Sequence, residues 1–209
     1  AVSSDSVPAL RALLLNRNDL CSREVAGLRA LLQSLRALPQ FEVLDLSWNG
    51  SYEGEAVRLT AEAIASQSLP HLRILNLSDT SDRNFIPVHA EDPPPCLVAL
   101  GGALGGGHCP SLEVLDLSRL SWEWGPASVG ESDTDPTGVR AIAEALESPN
   151  FPHKLTELKL VGREDVRLTA FAALCRILAS GRCASLESLE VEHSFTPFTE
   201  AAEEGNTAG

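Results

Sequence analysis

The chain has 209 residues, 44% of them hydrophobic and 22% charged, which is enough apolar material for a sizeable core in one elongated domain. Its formal net charge of −13 repels phosphate backbones, so no nucleic-acid partner is expected, and Lys and Arg are scattered rather than gathered in a patch. No apolar run nears the roughly 18–20 residues of a membrane span, and the opening Ala1-Val2-Ser3-Ser4-Asp5 is not the basic-then-apolar start of a signal peptide.

A short leucine pattern recurs along the chain. The first core is Leu10-x-x-Leu13-x-Leu15-x-x-Asn18, followed by Phe41-x-x-Leu44-x-Leu46-x-x-Asn49 and Leu72-x-x-Leu75-x-Leu77-x-x-Thr80. Three more begin at Leu112, Leu155 and Leu186, so successive starts are 31, 31, 40, 43 and 31 residues apart. Within each core apolar residues alternate with period two, which predicts a strand with one buried face. Between cores the spacing turns helical. Val25, Leu28, Leu31, Leu32 and Leu35 share one stripe, then Val57, Ala61 and Ile64, then Val139, Ile142 and Leu146, then Phe171, Leu174, Cys175 and Leu178. Ser22, Thr137 and Thr169 are candidate N-caps.

The third crossover, Leu97 to Gly107, holds five glycines; each interior Gly costs about 1 kcal/mol relative to Ala, so a short or distorted helix is expected there. Its Gly run lacks the Gly-Lys-Ser/Thr ending of a phosphate-cradling loop. The extra length of the third and fourth repeats falls in two Pro-rich acidic insertions, near 79–95 and 118–136. They leave consecutive repeats after the strand and so are expected to project side by side. The repeats occupy residues 1–194, and 195–209, with Glu203 and Glu204, are expected to form a disordered acidic tail.

Strand–helix alternation at a fixed period describes a solenoid: parallel strands lining the concave face, helices on the convex face, about six repeats. The cores match the L-x-x-L-x-L-x-x-N signature of leucine-rich repeats over nearly the whole chain, Leu10 to Val191. Units of about 30 residues with a full helix make the chain resemble the ribonuclease-inhibitor-like subclass. In that family the Asn hydrogen-bonds turn backbone. It is kept as Asn18 and Asn49 and becomes Thr80, Leu120, Arg163 and Ser194 later, so the C-terminal turns are expected to be less regular.

Residues between core leucines point away from the core. One column reads Ala12, Val43, Ile74, Val114, Glu157, Ser188, and the next Leu14, Asp45, Asn76, Asp116, Lys159, Glu190. The stripe Val43, Ile74, Val114, bordered by Asp45 and Asp116 with Glu42 and Glu113 one position earlier, suits a partner with apolar anchors beside Lys or Arg. Trp48, just past the second strand, and Trp122 and Trp124, in the 118–136 insertion, occupy no core position and are candidate partner contacts. Together with Asn76 these are the partner-binding candidates.

No catalytic, cofactor or metal site is expected. The five His are dispersed, His108-Cys109 lacks a second ligand pair, and Ser47 and Ser78 have no His placed to activate them. The five Cys lack paired spacing and read as free core thiols of a reducing compartment, cytoplasmic or nuclear. The reading is therefore a non-catalytic protein-interaction module binding a basic protein partner on the concave face and the inserted rim loops. Two alternatives stand beside it. The resemblance allows a GTPase-activating or GTPase-regulating protein, with Arg83 and Asn84 as the nearest candidates for a presented side chain. The missing Met and the uncapped last strand allow the sensing or autoinhibitory repeat region of a longer multidomain chain.

Overall fold

The leucines of Leu44-x-Leu46 and their equivalents alternate with branched or polar residues, and the backbone answers with a three-residue strand in every core. The computed structural model describes residues 9–18, 20, 25–49, 54–80, 96–120, 137–161, 174–176, 178–181 and 183–191. The strands are β1 (Ala12–Leu14), β2 (Val43–Asp45), β3 (Ile74–Asn76), β4 (Val114–Asp116), β5 (Glu157–Lys159) and β6 (Ser188–Glu190). All five pairings are parallel, in chain order, in one six-stranded sheet. Parallel neighbours need a crossover, and four helices are described between them: α1 (Ala26–Ser34, continued by a 3₁₀ turn over Leu35–Ala37), α2 (Glu55–Ala65), α3 (Cys96–Gly105) and α4 (Thr137–Glu147). The fold is α/β.

The core lies between sheet and helices. Leu44, Leu75, Leu115 and Leu158 of the strands are buried with Leu28 and Leu32 of α1, Val57 and Ile64 of α2, Leu97, Leu100 and Leu104 of α3, and Ile142 and Leu146 of α4. Each large side chain withdrawn from water in this way is worth about 1.5–3 kcal/mol. Leu38, Leu69 and Cys109 hold equivalent places ahead of successive strands, and all three are buried. The last predicted stripe behaves otherwise: Leu174 is buried, but Cys175 and Leu178 are exposed. Toward this end the sheet is also less covered, with Leu186, Leu189 and Val191 only half-buried.

The glycines of α3 do not distort it. It runs ten residues from Cys96 to Gly105, correcting the expectation of a short or distorted helix. A Cβ on Gly101 would stand 2.6 Å from the carbonyl oxygen of Ala141 in α4, and one on Gly105 3.2 Å from the Cα of Ala145. The absent side chains let two helix backbones approach closely, and that packing offsets the poor helix propensity.

Asn49 explains the turn after β2. Its side chain, fully buried, donates from Nδ2 to the carbonyls of Leu15 (2.7 Å) and Leu46 (2.9 Å), and accepts at Oδ1 from the N–H groups of Asn18 (2.9 Å) and Leu20 (3.3 Å). One amide thus joins two repeats and satisfies four backbone groups that burial would otherwise strand. Thr80 retains one such bond, from Oγ1 to Leu77 O at 2.6 Å, and Leu120 fills the slot with an apolar side chain instead. The residue before this slot has a left-handed backbone in four repeats: Arg17, Trp48, Asp79 and Arg119, with φ between 54° and 59°. Its N–H donates to the next repeat each time, as from Trp48 to Ser78 O at 2.9 Å.

The bulk of the two insertions, residues 81–95 and 121–136, lies outside the described residues. So do the N-cap candidates Ser22 and Thr169, the boundary at 194 and the tail 195–209.

Candidate functional site

The helices cover one face of the sheet, and the other face carries the side chains that alternate with the core leucines. Strand register aligns Val43, Ile74 and Val114 in one row and Asp45, Asn76 and Asp116 in the next, so six of the nine candidates stand together across β2, β3 and β4. Ile74 is 36% exposed, Val43 and Val114 are half-buried, and Leu14, at the β1 end of the second row, is 63% exposed. These apolar side chains take no part in the core cluster. The apolar row gives way at β5 to charge: Lys159 bonds Glu157 at 2.8 Å and lies 3.5 Å from Glu190 of β6. The hydrogen bond to Glu157 raises the Lys159 pKa and keeps the ammonium charged.

The acidic borders differ from their sequence reading in how much of their charge is available. At the N-terminal ends of the strands Arg11, Glu42, Arg73 and Glu113 form a ladder across four repeats. Arg11 pairs with Glu42 at 2.8 Å, and Arg73 reaches Glu42 at 3.6 Å and Glu113 at 2.6 Å. The hydrogen bond from Arg73 holds the Glu113 carboxyl below its ordinary range. This border neutralises itself and offers little net charge to a basic partner. On the other side, Asp45, Asn76 and Asp116 each fold an Oδ1 back onto the N–H two residues on, at Ser47, Ser78 and Ser118 (2.9, 3.0 and 2.9 Å). Such turns are a common use of Asx side chains where a strand ends. Asp45 and Asp116 each have a second carboxylate oxygen beyond that bond.

Trp48 stands at the C-terminal ends of the strands, 42% exposed. The guanidinium of Arg17 lies 4.9 Å from its ring centroid and that of Arg119 lies 5.6 Å away. Each contact is worth about 0.5–1 kcal/mol at an exposed site. The repeat signal that would have grouped these three was their shared slot, two residues past the third leucine of the core; sequence reading picked out only the Trp. Trp122 and Trp124 lie outside the described residues, as do Arg83 and Asn84.

Among the described residues no group of three or more His, Cys, Asp or Glu could hold a metal ion, and no helix is long and apolar enough to cross a membrane. Burial pushes the thiol of Cys109 up to about 12 and that of Cys96 up to about 11, so both stay protonated and poorly nucleophilic.

No protein-family model matches the chain, and no curated protein does. Solved structures do resemble it. The tropomodulin C-terminal domain of Caenorhabditis elegans superposes with a TM-score of 0.51 at 16% identity, covering 82% of this chain and 84% of that one. The second actin-binding site of leiomodin-1 gives 0.49 at 13% identity, covering 91% and 75%; that superposition is too loose to carry an argument. The likeness to the tropomodulin domain is one of fold, and it corrects the ribonuclease-inhibitor-like assignment. That assignment rested on units of about 30 residues with a full helix, which other repeat folds share. The GTPase-regulating alternative finds no support among these neighbours.

Proposed function

We propose that this chain is a non-catalytic protein-interaction module in which a curved leucine-rich-repeat arc, strands inside and helices outside, grips a protein partner on the open sheet face. The observation that carries the reading is the row Val43–Ile74–Val114, three branched apolar side chains kept out of the core and held in register by strand pairing. β-Propensity accounts for valine in a strand, but it does not require Ile74 to stay exposed when the core has its own leucines. A rigid apolar row with polar rims is the usual centre of an interface, where a few anchors supply most of the affinity.

Asp45 and Asp116 favour Lys or Arg beside the partner's apolar anchor, while the ladder of Arg11, Glu42, Arg73 and Glu113 contributes register rather than net charge. Trp48 extends the contact surface at the C-terminal rim. The test is binding by the wild type against Ile74→Asp, which puts a carboxylate into the row without touching the core. Loss of the partner with the fold intact supports the face; retention by the variant refutes it.

A further inference from the structure

Arg17, Trp48 and Arg119 come from three different repeats yet occupy one turn position, and the fold draws their side chains into a single stack. The turn itself does not need the ring. The position supplies a backbone N–H to the next repeat, and Arg17 and Asp79 make the same bond without an aromatic side chain. A bulky residue with positive φ is, moreover, a costly choice.

The two guanidiniums have donors to spare. Arg11, Arg29, Arg58, Arg73 and Arg176 are each tied to a carboxylate, whereas Arg17 and Arg119, like the isolated Arg36, have no carboxylate partner among the described residues. Asp79, which stands between Trp48 and Arg119 in the column, is buried and has a partner of its own. In a chain with 29 acidic and 16 basic residues, two guanidiniums without a carboxylate partner among the described residues, beside one exposed indole, form a local cationic point on a repelling background.

We propose that Arg17, Trp48 and Arg119 form a docking point for an acidic peptide segment of a protein partner. Its Asp or Glu carboxylates are taken by the guanidinium donors, and an adjoining side chain lies on the indole. Planar guanidinium donors match carboxylate geometry, and the ring excludes water from one side of the contact. Long polyanions such as nucleic acid meet the repulsion of the whole chain; a short acidic segment reaches only this point. The site extends the sheet-face reading at Trp48 and rests on it for the nature of the partner, but its test does not involve Ile74.

The probe is a hexaglutamate peptide titrated into the full chain while the Trp48 indole N–H is followed by NMR, its resonance assigned with Trp48→Phe. Hexalysine and inorganic phosphate are the comparison probes. Hexaglutamate is expected to shift the resonance to saturation and hexalysine is not. The double variant Arg17→Gln/Arg119→Gln, which replaces each guanidinium with a shorter neutral amide, weakens binding roughly tenfold. Arg36→Gln, at a guanidinium outside the stack, leaves it unchanged, as does Ile74→Asp. Absence of a hexaglutamate shift overturns the proposal. So does an equal loss in Arg36→Gln, which reveals bulk charge only, and so does saturation by phosphate at the same concentration, which reveals a simple anion site.

Discussion

A Cβ on Gly101 would meet the carbonyl oxygen of Ala141 at 2.6 Å, so α3 and α4 pack backbone against backbone at this residue. Its neighbour Gly102 has nothing within 4 Å and faces solvent. The two glycines should answer the same substitution with opposite signs. Gly101→Ala forces the helices apart and costs about 1–2 kcal/mol net, overpacking outweighing the better helix propensity. Gly102→Ala removes chain entropy without a clash and stabilises by about 0.5–1 kcal/mol. Thermal melting of the two single variants reads the difference; two changes of the same sign would mean that α3 and α4 do not pack this closely.

Asn49 and Asn18 occupy equivalent repeat positions but carry different loads. Asn49 serves four backbone groups from a fully buried position, whereas the Asn18 side chain is exposed and, among the described residues, donates to Asn16 O at 3.1 Å. Asn49→Ala should destabilise by about 3 kcal/mol, since several buried polar groups lose their partner at once. Asn18→Ala should stay within about 0.5 kcal/mol. Urea unfolding curves with unchanged slopes would separate them.

The buried thiols set an alkaline limit. Cys96 and Cys109 have folded-state pKa values raised from 9.0 to about 11 and about 12, both by burial. Between the unfolded and folded values the native state holds more protons than the unfolded chain, so stability is full below pH 9 and falls as pH rises toward the folded values. Each thiol contributes a slope of at most about 1.4 kcal/mol per pH unit. Alanine at both positions should flatten stability against pH across that window, whatever it does to stability at neutral pH. At neutral pH a thiol reagent should label exposed Cys175 well before Cys96 or Cys109.

The repeat made the fold legible because core leucines at period two leave little choice of face. The columns written from the sequence are the rows that the register produces, residue for residue. What escaped was tertiary. The glycines of α3 looked like helix breakers, because close approach to Ala141 is not visible in one helix's own sequence. The carboxylates beside the apolar row looked free, because the ladder of Arg11 and Arg73 with Glu42 and Glu113 forms between residues 31 or 40 positions apart. Arg17 and Arg119 drew no notice because they meet Trp48 only once the turns are stacked.

The sheet face and the core separate cleanly in mutation. Leu44 is fully buried, and a carboxylate there is an unpaired charge in apolar surroundings, so Leu44→Asp should cost more than about 4 kcal/mol and unfold the domain. Ile74→Asp, at an exposed position, should shift stability by no more than about 0.5 kcal/mol, as circular dichroism and thermal melting would record.

The most direct test is binding of a protein partner, recovered from lysate and purified separately, to the wild type and to Ile74→Asp of matched melting temperature. The sheet-face account predicts a saturable complex with the wild type that weakens at least about tenfold in Ile74→Asp, as expected for a central apolar anchor. A partner held with equal affinity by both proteins would contradict it.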